Sequence, residues 1–185
     1  MLSNGPIIFM KLRSSPKMGK AGREGRNRKM IASAENIMEQ VRRGPREPNK
    51  QILASDGSLQ VRVQLADCDR LGCLLESLEI RPTHGCSLNI DPLWIEKEIH
   101  YLGEPLKIIE LEESQGKALL RSFPPRRENG TVHFFEVVIH PKEGLSLNRL
   151  SYDRSLGSRT QTPVPLTRET LERLLADLVS LASKN

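Results

Sequence analysis

The chain has 185 residues, 37% hydrophobic and 28% charged, the balance of a water-soluble globular domain with or without a tail. No apolar run approaches the ~20 residues of a bilayer-spanning helix. Three cysteines, clustered, are too few for a disulfide framework, so a reducing, cytoplasmic setting is expected.

The net charge of +5 is unevenly placed. Residues 1–30 carry Lys11, Arg13, Lys17, Lys20, Arg23, Arg26, Arg28 and Lys29 against Glu24 alone, a local charge of +7, which leaves −2 for the remaining 155 residues. Gly5, Pro6, Pro16, Gly19, Gly22 and Gly25 interrupt any helical period there. Residues 1–29 are therefore expected to form a disordered basic tail, and residues 30–185 a single domain. Such an arm can grip phosphates by counterion release. A solubilising tail and an organelle presequence are the other readings, although the glycines spoil an amphipathic presequence helix. No basic stretch precedes the short apolar patch at the start, so a secretory signal is not expected.

From Met30 to Arg43 the pattern is helical, with Ile31, Ala34, Ile37, Met38 and Val41 on one face. Gly44–Lys50 stops it. A hairpin follows, turning at Asp56-Gly57, and its second strand alternates Leu59, Val61, Val63 and Leu65 with polar residues. Residues 67–90 suit either a short helix, through Leu71, Leu74, Leu75 and Leu78, or a third strand, and the turn at Asp67–Gly72 with Pro82 closing the run favours the strand. Asp91-Pro92 pairs an N-cap with proline at the first helical position, opening a helix through Leu102 that seats Trp94, Ile95, Ile99 and Leu102 inward.

The second half reads as a meander. Leu106–Glu112 and Lys117–Phe123 flank a turn at Gly116, and Leu145–Tyr152 forms a later strand. Thr131–His140 (TVHFFEVVIH) is the best-marked strand, being rich in β-branched and aromatic residues and bounded by turn signals. Asp153–Pro165 reads as a polar loop. It leads to a final helix, capped by Thr167, with Leu171, Leu174, Leu175, Leu178 and Leu181 on one side. The fold expected is α+β: a mainly antiparallel sheet of hairpins and meander, covered by N-terminal, middle and C-terminal helices.

Chemistry-bearing residues are sparse. Cys68, Cys73, His84 and Cys86 offer atoms that suit zinc, but four residues separate the first two cysteines where a knuckle has two, so plain packing is the expectation and no metal or cofactor is assigned. Glu136 and His140 share a strand face but lie ~13 Å apart, and His133 faces the other way with Phe135, Val137 and Ile139. That spacing defeats a local acid–base pair. A pocket gathering His84, His100 or His140 with a carboxylate would reopen catalysis. Ser14 and Ala21 break a phosphate-loop reading of the tail glycines. Arg126, Arg127, Arg149, Arg154 and Arg159 suggest a second basic patch, but the chain has only seven aromatic residues for base stacking.

The function expected is non-enzymatic binding of another protein, as an assembly factor, adaptor or chaperone. Docking would use a sheet edge or the helix face of Ile31, Ile37, Met38 and Val41. The alternative is a nucleic-acid-associated protein acting through the basic arm, and after it an enzyme without short motifs.

Overall fold

The computed structural model describes Glu39 and residues 50–55, 59–83 and 86–182. Strands β1 (Lys50–Ser55), β2 (Leu59–Cys68) and β3 (Gly72–Pro82) come first, then helix α1 (Pro92–Glu98). Strands β4 (Leu106–Glu112), β5 (Lys117–Ser122), β6 (Arg126–Glu128), β7 (Thr131–His140), β8 (Gly144–Asp153), β9 (Ser158–Gln161) and β10 (Val164–Thr167) follow, and helix α2 (Arg168–Ala182) ends the described chain. All ten strands join one sheet whose main path runs β1-β2-β3-β8-β7-β5-β4, and every pairing is antiparallel.

Register explains the core. Ile52, Val63, Leu78, Leu147, Val137 and Leu120 are successive cross-strand partners, all no more than 1% exposed. The next inward row is Ala54, Val61, Ile80, Leu145, Ile139 and Ala118. Side chains alternate along a strand, so the intervening row, Leu53, Arg62, Glu79, Ser146, Val138 and Leu119, takes the opposite face. That face is polar and partly exposed, with Glu79 between Arg62 and Arg81. Alternation survives two bulges because each resets it: Glu76 on β3 and Ala66 on β2 are the unmatched residues, and Leu75 and Cys68 still point inward.

Helix α2 lays Leu171, Leu174, Leu175, Leu178, Val179, Leu181 and Ala182 into this core against β3 and β10. Burying one such leucine is worth about 1.5–3 kcal/mol, so the stripe anchors the helix at home. Thr167 Oγ1 accepts the Thr170 N–H at 3.1 Å, the cap expected. Tyr101, beyond α1, donates its hydroxyl to Asp177 (2.8 Å) while Arg173 lies over its ring (4.1 Å), which ties α2 to the α1–β4 connection. Burial and the Asp177 carboxylate both push the Tyr101 hydroxyl above its usual range.

The expectation of a sheet covered by N-terminal, middle and C-terminal helices is overturned. The structure is mostly antiparallel sheet, with two helices of seven and fifteen residues among the described residues and one of them C-terminal. The helix expected at Met30–Arg43 lies outside the described residues apart from Glu39, as do the tail residues 1–29 and the Asp56-Gly57 turn. The middle helix begins as expected, with Asp91 accepting the Leu93 N–H at 2.9 Å, but stops at Glu98 instead of Leu102. Ile99 leaves helical geometry, and Gly103 (φ 82°) and Pro105 turn the chain into β4. The polar loop expected after Tyr152 instead contains β9 and β10, and β6 lies among the turn signals that precede Thr131. β9 and β6 are exposed throughout, so no hydrophobic alternation marked them, and β10 carries Pro165.

Candidate functional site

Two strands of the sheet are each split in two, and the splits flank the same cleft. Along β7, the half Glu136–Ile139 pairs with β5 and the half Thr131–His133 with β6, because residues 123–125 swing out between them. Along β8, the half Leu145–Asn148 pairs with β3 and the half Leu150–Asp153 with β9. The connection Thr162–Pro163 then returns the chain to β3 as β10. Prolines 124, 125 and 163 stand at both departures, where a residue lacking an N–H cannot continue a ladder. Between the splits lies a cleft of about 650 Å³ lined by Glu104, Arg126, His133, Arg149, Thr162 and the prolines.

Side chains close what the backbone leaves open. Phe135 N–H, opposite the departure of β5, donates to Ser122 Oγ at 2.9 Å. Ser122 Oγ–H donates to Glu104 Oε2 (2.6 Å), and Arg149 Nη2 donates to Glu104 Oε1 (2.7 Å). Arg149 also lies over the Phe135 ring at 4.8 Å. On the other side, Thr162 N–H donates to the Arg149 carbonyl, and the Gln161 amide donates to the Glu76 carbonyl across the β3–β9 gap. Arg149 and Glu104 are 13% and 14% exposed, so each charge depends on the other for the solvation that water no longer supplies. Thr162 Oγ1 is buried without a hydrogen-bond partner.

His133 is on the cleft wall, on the inward face with Phe135, Val137 and Ile139 as its spacing implied, while Glu136 lies opposite. Glu136 is held there by Arg121 (2.8 Å), whose guanidinium also lies over Phe134. His133 therefore enters a pocket with carboxylates, where the pattern pointed to His84, His100 or His140. Among the described residues no hydrogen bond or ion pair joins it to Glu104 or Glu128. His100 and His140 lie outside the cleft lining, and His84 lies outside the described residues. Of the second basic patch, Arg149 is buried on Glu104 and Arg126 pairs with Glu128 at 3.1 Å, while Arg127 and Arg159 share a cross-strand row through Val132 and Tyr152. Phe134 and Phe135 are both buried, each beneath an arginine, so neither offers a stacking platform.

Of the four candidate metal ligands, His84 lies outside the described residues. Cys68 and Cys73 face each other across the β2–β3 hairpin and are joined as a disulfide, whereas Cys86 is exposed and unbonded. Among the described residues no three His, Cys, Asp or Glu side chains gather as a metal site. Strand pairing across a tight turn, not a metal, is what brings the first two cysteines together, and their separation of five residues is the spacing such a turn produces.

The two ends of the main sheet path differ. On β4, Glu96 of α1 accepts the Ile108 N–H (3.0 Å) and Lys107 Nζ (2.8 Å), which together hold its carboxyl below the usual range. Ile109 is an unmatched bulge residue, and Glu110 and Glu112 follow it. Each of these features blunts an edge against strand addition. β1 pairs all six residues with β2 in one unbroken register, and after Lys50 its outward residues Gln51 and Leu53 are exposed and uncharged. Among the described residues no strand pairs with the other side of β1. The helix-face residues Ile31, Ile37, Met38 and Val41, and the cationic residues of the arm, lie outside the described residues.

No protein-family model matches the chain, and no curated protein or solved structure matches it significantly.

Proposed function

We propose that the chain is a non-enzymatic binding protein, an assembly factor or adaptor, that takes an extended segment of a partner protein along β1. The observation that supports this reading is the contrast between the sheet's two ends. The protections that keep a β-edge from recruiting strands are concentrated on β4, whereas among the described residues β1 carries only Lys50 at its start and no bulge or covering carboxylate. Main-chain hydrogen bonds would supply most of the affinity, and the side chains beside the incoming strand would set preference. Gln51, Leu53 and Ser55, beside Gln64, Arg62 and Gln60 of β2, would present a mainly polar face to the incoming segment.

The test is to purify the intact chain with whatever accompanies it, cross-link, and map the cross-linked positions by mass spectrometry. The reading expects partner cross-links concentrated around β1, persisting at high salt and lost in Leu53→Lys. Lysine on an edge deters strand addition while leaving an exposed site's stability within about 0.5 kcal/mol. Cross-links confined to other surfaces, or unaffected by Leu53→Lys, would overturn it. Retention of nucleic acid that falls steeply with salt and disappears on deleting residues 1–29 would favour the basic-arm reading instead.

A further inference from the structure

From the placement of Cys68 and Cys73 we infer that they form a reversible thiol–disulfide site that exchanges with low-molecular-weight thiols of the glutathione class. Three independent features of that corner converge on this reading.

The β2–β3 register already sets Cys68 opposite Cys73, and the hairpin is closed without sulfur: Asp69 N–H donates to the Gly72 carbonyl (2.9 Å), and Asp69 Oδ1 accepts the Leu71 and Gly72 N–H groups (2.7 Å each). The bond thus closes a loop that the backbone holds anyway, so it can open without unfolding the hairpin. Second, Arg168 reaches the same corner from α2. Its Nη2 lies 3.9 Å from Cys68 Sγ, and it is held there by its own Nε on the Asp69 carbonyl (2.6 Å) and its backbone N–H on the Leu71 carbonyl (3.3 Å). A fixed guanidinium beside a sulfur stabilises the thiolate, which improves Cys68 as a leaving group and favours the reduced state. Third, both cysteines line a cavity of about 410 Å³ between Asp67–Leu74 and Pro165–Thr167, so a small thiol has a path to sulfurs that are otherwise buried.

The exchange runs in two steps. A thiolate RS⁻ attacks Cys73 Sγ, the Cys68–Cys73 bond breaks, and Cys68 leaves as a thiolate beside Arg168. A second RS⁻ attacks the sulfur of R in the mixed disulfide, releasing Cys73 as a thiolate and RSSR as product. The protein pair gains two electrons, the two small thiols lose them, and the protein thiolates take protons from water according to pH. The reverse sequence, with RSSR as oxidant, closes the bond.

The intact chain is equilibrated with reduced and oxidised glutathione in graded ratios, quenched with N-ethylmaleimide, and weighed whole, with circular dichroism recorded at each ratio. The inference expects Cys68 and Cys73 to be unlabelled and joined at the oxidising end, where Cys86 carries N-ethylmaleimide or one glutathione, and all three to be labelled at the reducing end, with the fold retained throughout. Arg168→Gln should shift the midpoint about threefold to tenfold towards reduced glutathione, because the reduced form loses its stabilising charge, and Arg168→Lys should restore most of it. Cys68 and Cys73 unlabelled at every ratio identify a permanent staple, and both cysteines modified singly by maleimide or glutathione at every ratio identify thiols that never pair; either overturns the inference. So does labelling that appears only together with loss of the circular-dichroism signal. An unchanged midpoint in Arg168→Gln removes Arg168 from the mechanism and with it the assignment.

Discussion

At the scale of single residues, the buried charge pair and the hairpin carboxylate make the sharpest predictions. Glu104 and Arg149 compensate one another inside the cleft, and Ser122 extends the network to the Phe135 N–H. Arg149→Leu strands a carboxylate at low exposure and should cost about 3 kcal/mol in urea unfolding. The double variant Glu104→Leu/Arg149→Leu should cost clearly less than the sum of the single variants, and additivity would show that the pair is not coupled. Asp69 is the second case. The N–H groups of Gly72 and Leu71, then Arg168 and Arg70, hold its carboxyl below the usual aspartate range. A depressed value means that the contribution is present above the ordinary aspartate value, and is lost as pH falls through the lowered one. The Leu71 and Gly72 amide resonances should therefore titrate with an inflection below pH ~3.9, and Asp69→Asn should abolish it. An inflection at or above that value would contradict the hydrogen bonds described.

At the scale of elements, the sheet is locked where strands approach most closely. Gly144 begins β8 at φ 104°, and a Cβ there would collide with the Ile80 carbonyl group and the Arg81 Cα of β3. Both obstacles are backbone, so Gly144→Ala should cost at least about 2 kcal/mol by thermal or urea unfolding. The same variant should loosen the β3–β8 contact that joins the two halves of the sheet. Hydrogen exchange at Ser77–Ile80 ought to quicken before exchange in the β4–β5 hairpin, and uniform quickening would argue against that joint. Element identity was readable wherever period and punctuation agreed: β2 by its alternation, β7 by its composition, α2 by its leucine stripe and Thr167 cap. It was unreadable in β6 and β9. Those strands bury nothing, so their reason for existing is the backbone of β7 and β8 beside them.

At the scale of the molecule, the described residues form a ten-stranded sheet with one apolar face and one polar face. Leu53→Lys is the whole-molecule prediction: unfolding midpoint unchanged, partner cross-links at β1 lost. The amino-acid order alone settled strands β2 and β7, that His133 and Glu136 face apart, and that α2 would bury its leucines, because those facts follow from periods of 2 and 3.6 within one segment. It could not settle which strands lie side by side. The pairing of β3 with β8, the splitting of β5/β6 and β9/β10 around a common cleft, and the meeting of Glu104 with Arg149 depend on contacts between segments tens of residues apart. No local period encodes them. The balance of sheet against helix was misjudged for the same reason. Exposed polar strands are stabilised by neighbours that only the folded chain supplies, and the difference between the β1 and β4 edges exists only once α1 has set Glu96 against Ile108.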